Sequence, residues 1–399
     1  MATAVVIGSG VAGLATAEIL VRNDWHVVLV ERQGELGGEA SRRTQNWLHT
    51  GWLYAGLPDP AAMEGCATGL ELLADLYGIH GVTGDWFSAR AMLYAYAVGT
   101  HELGYVEALG WRAYLSRVIL PRMERLGLAG RDVEAGPVVE SLLAMWEGGG
   151  SPRRRYRLVR TTDEGIETGR VLESLAGMLP GVEVLLGESP ELVSHGQRTT
   201  VAVAGDRLSP DLVVVAAGSG IRELVAGMRP DVAAAFTSVA SPIAVISPAL
   251  ALPSLIRYTP KLEWTINHLP YRTSVGMVST VGAYDELPVP TGAWMVPDAF
   301  LEKVDRMMGG PKVAGVYVGT KTEYTRGAGR RYNHAVVRVA GDVLAAVPGK
   351  FSQFPLLVRD FAREVGLSID QAPLSGGPSH LVGQTMPELI ASTAEVLAA

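Results

Sequence analysis

The chain begins on four consecutive apolar positions, Ala4-Val5-Val6-Ile7, with no polar residue alternating between them. An unbroken apolar run this short predicts a strand buried on both faces. Gly8, Gly10 and Gly13 follow directly, and Ala12, Leu14, Ala15, Glu18, Ile19 and Leu20 then fall at helical spacing. A second apolar strand, His26–Val30, ends at Glu31, 23 residues after Gly8. Further along, "GLELLADLYGIHG" and "GYVEALGWRAYLSRVILPRMERLGL" carry helical periodicity. Residues 239–335 are strand-rich, in "SPIAVISP", "LEWTINHLPY", "SVGMVSTVGAY" and "KVAGVYVGTKTEY", with "AWMVPDAFLEKVDRMMGG" supplying one helix.

Strand, glycine turn, helix and second strand ending in an acid make a dinucleotide-binding unit. Gly8 permits the tight turn, Gly10 admits a pyrophosphate close to the backbone, and Gly13 lets helix pack on strand. The free N–H groups and positive dipole end at Val11 and Ala12 suit phosphate. Glu31, with Arg32 beside it, suits the ribose hydroxyls of an adenosine and repels a 2′-phosphate.

Composition narrows the class. The chain has 399 residues, 48% hydrophobic and 19% charged, with a net charge of −7. That is a folded globular protein of two or three domains, and nucleic acid is not its expected partner. One cysteine, Cys66, leaves no internal disulfide. With an N-terminus that enters a strand directly, this predicts a cytoplasmic protein. The uncharged run from Asp231 to Arg257 is long enough for a membrane span, but Pro242, Pro248 and Pro253 divide it. It reads as a turn and two buried strands, so no integral span is expected. The eight histidines are scattered, without metal-ligand spacing, and no metal is expected.

Three later stretches favour FAD over NAD. "RQGELGGEAS" places Gly37, Gly38 and Ser41 just beyond Glu31. "DLVVVAAGSGIREL" (211–224) is a buried strand ending in small residues, Ala217 and Gly218. "AAVPGKFSQFPLLVRDFAREV" (345–365) is a strand, a turn at Gly349, Lys350, Phe351 and Ser352, and a helix. With "DEGIETGRVLESLAGML" (163–179), these resemble the D-amino-acid-oxidase-like superfamily of FAD-dependent oxidoreductases. The resemblance implies an FAD-binding Rossmann-like α/β domain with a parallel sheet, comprising residues 1–80, 150–235 and 335–399. An α+β substrate domain with a mostly antiparallel sheet, 80–150 and 236–334, is interleaved with it. It also implies adenine near Val193, a small-molecule substrate that reduces the flavin, and oxygen or a quinone as acceptor. No second glycine fingerprint appears mid-chain, so no separate nicotinamide domain is expected.

Within the superfamily, "RRTQNWLHTGWLYAGLPDP" (42–60) is similar to the L-2-hydroxyglutarate dehydrogenase branch at Asn46, His49, Gly51 and Tyr54. The Gly349-Lys350 turn is closer to the glycerol-3-phosphate dehydrogenase branch. Both imply oxidation of a CH–OH carbon of an anionic molecule by hydride transfer to the flavin. His49 would be the base, a covalent flavin anchor, or a histidine bonded to nearby backbone. Lys350 would stabilise the reduced flavin. Candidates facing the flavin from the strand-rich half are Tyr258, His268, Tyr271, Arg326, Arg331 and His334, with Arg331 preferred as the anion clamp. The alternatives are amine or amino-acid oxidation on the same fold, which needs no dedicated base, and a flavoprotein without net redox chemistry. The "GGGSPRRRYRLVRTT" hinge (148–162) reads as a basic loop or an anion-attracting rim.

Overall fold

The computed structural model describes residues 1–57, 59–79, 87–88, 93–98, 111–147, 155–196, 198–258, 265–274, 276–289, 295–325, 333–370, 372 and 386–395. Strand β1 (Thr3–Ile7) lies in the middle of a six-stranded sheet, with strand β2 (His26–Glu31) on one side and strand Leu212–Val215 on the other. Both pairings are parallel, as are the outer ones to Glu183–Leu186 and Val343–Val347. Only the edge strand Ala335–Ala340 runs antiparallel. Ala4 and Val6 face one hydrophobic core while Val5 and Ile7 face another, which is why the strand needs apolar residues at every position. Helix α1 (Val11–Arg22) is buried from Val11 to Leu20 and is covered by helices Thr168–Gly177 and Phe354–Val365.

The strand-rich half forms a second, larger sheet of nine strands among the described residues. Its centre is antiparallel: Phe236–Ile246 pairs with Val313–Tyr324 and Gly276–Gly282, and the latter with Ile266–Thr273. One pairing is parallel, Leu255–Tyr258 with Leu93–Val98. The uncharged run from Asp231 resolves into a helical turn, Pro230–Ala233, and the two strands Phe236–Ile246 and Leu255–Tyr258. Strand Arg155–Arg160 also joins this sheet, through Leu93–Val98. The mixed α/β architecture, a mostly parallel Rossmann-like sheet beside an antiparallel one, is the predicted fold class. Among the described residues, no helix is long and apolar enough to cross a membrane.

The chain between residues 43 and 50 connects the two halves. Tyr317 and Tyr271, both on the large sheet, donate hydroxyl hydrogen bonds to the carbonyls of Thr44 (3.2 Å) and Gln45 (2.8 Å). Trp47–Leu48 then pairs with Glu164–Ile166 in a small sheet of its own. This threading fixes where His49 and Tyr54 emerge relative to the nucleotide sheet.

Candidate active site

A cleft of about 560 Å³ runs along the C-terminal ends of the parallel strands. One end is lined by Ser189, Glu191, Leu192, Glu223 and Leu224, the other by Thr320–Thr322 and by Pro348, Gly349, Lys350 and Phe351. This is the crevice at which doubly wound sheets bind ligands. Gly8, Gly10, Val11, Ala12, Glu31, Arg32, Gly37, Gly38, Ser41, Ala217 and Gly218 all line it. Gly13 does not; it packs on the Gly8 carbonyl. On strand Glu191–His195, Glu191 and Leu192 line the cleft, and Val193 is not among the lining residues. Ser352 likewise misses the cleft and instead donates its hydroxyl to Cys66 Sγ at 3.6 Å.

The nucleotide end fits FAD. Helix α1 has no acid in its first turn, and Gly10 caps it with extended backbone. A Cβ at Gly10 would project toward Ser41, 3.1 Å from its hydroxyl, across the space a pyrophosphate needs. Ser41 Oγ accepts the Val11 N–H at 2.9 Å, the kind of bond a phosphate oxygen makes at a helix N-terminus. Glu31 Oε2 accepts from the N–H and hydroxyl of Ser9 (2.8 and 2.6 Å), and Oε1 from the Gln33 N–H (2.8 Å). Those three bonds hold the carboxylate at the strand end and leave acceptor capacity for ribose hydroxyls.

At the other end, Gly349 turns with φ +63°, and a Cβ there would strike the Asn333 carbonyl. The turn presents Lys350, whose Nζ lies 5.5 Å from the centre of the Tyr54 ring. Burial, reinforced by the nearby Lys321 charge, pushes the Lys350 amine down to about 7. Lys321 also lines the cleft and is held by Glu286, with Glu323 Oε1 at 3.9 Å.

His49 is not on the cleft wall. Its ring meets Tyr54 edge-on at 5.8 Å and stacks near Trp47 at 6.4 Å, one ring behind Lys350. Its Nδ1 is 3.5 Å from Asp163 Oδ2, so a buried side chain rather than backbone is its neighbour. Tyr258 and Tyr271 are fully buried in the aromatic cluster beneath the large sheet. His268 is also buried, bonded to the Pro253 carbonyl (2.8 Å) and Ser279 Oγ (2.7 Å), away from the cleft. Burial pushes its pKa down to about 4. His334 pairs with Asp360 at 2.8 Å on the far side of the Gly349 turn. Arg326 and Arg331, and the basic hinge up to residue 154, lie outside the described residues. Among the described residues no group of three or more His, Cys, Asp or Glu could hold a metal ion. Asp163 was not singled out from the sequence; nothing local marks it, because its partners are distant in the chain.

A model of the FAD dependent oxidoreductase family, DAO, matches residues 3–326. The chain belongs to the DAO family. Its cofactor is FAD, and it is an oxidoreductase. Solved DAO-fold structures superpose along nearly its whole length. NikD, described as an unusual amino acid oxidase essential for nikkomycin biosynthesis, aligns with a TM-score of 0.66 at 14% identity, covering 95% of this chain and 100% of that one. Glycine oxidase from Geobacillus kaustophilus gives 0.63 at 14%, covering 95% and 100%. L-proline dehydrogenase from P. horikoshii gives 0.64 at 13%, covering 92% and 94%. Among curated proteins, the tRNA 5-methylaminomethyl-2-thiouridine biosynthesis bifunctional protein MnmC of Burkholderia mallei is 31% identical over 100 residues. That stretch is 25% of this DAO-family chain and 13% of the relative's length. None of these four carries the hydroxy-acid or glycerol-phosphate dehydrogenase name of the branches that the 42–60 and Gly349-Lys350 stretches resemble.

Proposed function

We propose that this FAD-dependent oxidoreductase oxidises a CH–NH bond of a small amine or amino acid, with oxygen or a quinone reoxidising the cofactor. This revises the CH–OH reading suggested by the 42–60 stretch. The observation that carries it is Lys350, an amine on the cleft wall at the end away from the adenosine site, where a neighbouring anion favours its protonated form. It suits both a substrate carboxylate and the negative charge of a reduced cofactor. The amine reading is favoured because NikD, glycine oxidase and L-proline dehydrogenase, all named for amino acids, share the fold over nearly the whole chain.

Bound FAD supplies the two-electron acceptor. The chain's own residues do the rest. Val11 N–H and the α1 terminus hold phosphate, Glu31 holds ribose, and Lys350 orients an anionic substrate. The buried rings of Trp47 and Tyr54 pack behind Lys350 and keep water from that side of it. A neutral amine can give up hydride without a base at the carbon's substituent, so no histidine is required on the cleft.

A second reading, CH–OH oxidation, draws support from the His49–Asp163 pair, since a buried carboxylate beside an imidazole is how a general base is oriented. Product analysis separates the two. Turnover of an amino-acid substrate releases ammonia, or a primary amine from an N-alkylated one, with one carbonyl product. Turnover of hydroxy acids without amine release would replace the first reading by the second.

A further inference from the structure

Asp163 is fully buried and stands where three segments meet. Its Oδ1 accepts the Thr50 N–H at 2.7 Å and the Thr50 hydroxyl at 2.5 Å. Its Oδ2 accepts the Tyr94 hydroxyl and lies 3.5 Å from His49 Nδ1. Thr50 is held a second time by Thr162 Oγ1 at 3.0 Å. Burying a carboxylate is costly unless its lone pairs are satisfied. Here four contacts serve one side chain, and two of them come from the residue next to His49. A site built only to join strands needs no ionisable group.

The chain of contact continues toward the cleft. His49 Nε2 makes no hydrogen bond among the described residues. The His49 ring packs edge-on to Tyr54, and Tyr54 carries Lys350 over its face. A carboxylate at Nδ1 can only accept, so it selects the tautomer with the proton on Nδ1 and leaves the Nε2 lone pair open. Among the described residues, the charged and titratable groups around His49 are Asp163, Tyr94 and Tyr54, with Lys350 beyond Tyr54 and Cys66 within electrostatic range of both Asp163 and Lys350.

We propose that Asp163 is a positioning residue of the active site: its buried carboxylate fixes the orientation and tautomer of His49, and through the His49 ring it fixes the Tyr54 face on which Lys350 rests. The structural half of this inference is independent of the substrate. Its kinetic half rests on the oxidoreductase reading, whichever bond is oxidised.

The test uses the full chain with FAD bound. ¹⁵N-histidine spectra, recorded at alkaline pH where imidazole is neutral and with His49 assigned from H49Q, read the tautomer directly. The expected result is a proton on Nδ1 in the natural protein, redistributed toward Nε2 in Asp163→Asn. A bare Nδ1 in the natural protein overturns the proposal, even if D163N fails to fold. So does an unchanged pattern in a folded D163N. The kinetic arm is a double-substitution cycle on cofactor reduction by any substrate that bleaches it. D163N is expected to slow reduction about 100-fold at undiminished FAD content, the scale of a small misplacement. In an H49Q background D163N is then expected to cost nothing further. Additive losses, or no loss, would show that Asp163 merely supports the fold. Failure to find any amine substrate would count against the proposed reaction and leave the tautomer result standing.

Discussion

Lys350 Nζ sits 5.5 Å from the centre of the Tyr54 ring, so the turn after the last parallel strand meets the loop that follows Gly51. The two residues are nearly 300 positions apart in sequence, and their contact backs the cleft wall at Lys350. Lys350→Met removes an amine that takes up its proton beside a bound carboxylate and then donates a charge-assisted hydrogen bond, and is expected to raise KM for carboxylate substrates about 10- to 100-fold. Steady-state kinetics on matched acid and amide substrates checks this, because the amide should lose little.

The same lysine predicts a stability trend. Its amine is held at about 7 in the folded chain against an ordinary 10.5. Between those values the unfolded chain binds a proton that the folded chain does not, so stability rises with pH across that window. Below about pH 7 the full cost of burying the cation is present. In FAD-free protein, K350M is therefore expected to raise Tm at pH 6 and to lose this advantage as the pH approaches 10.5. Thermal unfolding across that range provides the check.

His268 predicts a trend of the same sign in a lower window. Burial holds its folded pKa at about 4 against an ordinary 6.5, so the unfolded chain takes up the extra proton between those values. Stability should fall as pH drops from 6.5 to 4. In His268→Gln that slope should flatten, measured by urea unfolding at several pH values.

Glu31 is tied down by Ser9 and Gln33 before any ribose arrives. Glu31→Gln keeps the shape, removes the charge, and turns one acceptor into a donor. FAD affinity is expected to fall about tenfold, roughly one hydrogen bond to a charged group. Flavin fluorescence titration of the stripped protein measures it.

Gly349 combines a left-handed backbone with an Asn333 carbonyl where a Cβ would stand. Gly349→Ala is expected to destabilise the chain by about 1–3 kcal/mol and to displace Lys350. Chemical denaturation reads the first effect, and the KM for carboxylate substrates the second.

That Gly8, Gly10 and Glu31 would come together on one cleft was legible in the sequence because the signals are local. Gly8, Gly10 and Glu31 announce themselves through a strand, a turn and a second strand within 31 residues. The lining of a short strand was less legible: Glu191 and Leu192 line the cleft and Val193 does not, a difference that the sequence pattern does not resolve. His49 was visible as a residue but not as a partner. Its setting depends on Asp163, 114 positions away, and on Tyr94, itself 69 positions from Asp163. Such a cluster exists only once the small sheet pairs Trp47–Leu48 with Glu164–Ile166. The 42–60 stretch points toward hydroxy acids and the fold neighbours toward amino acids, because a short motif and a whole-chain fold each carry only part of what selects the bond broken.

The visible spectrum of the purified protein, followed during anaerobic addition of pooled amines and amino acids and then of pooled hydroxy acids, tests the central claim most directly. A yellow protein bleached by the amine pool is the expected result. Bleaching by the hydroxy acids alone would contradict the proposed CH–NH oxidation.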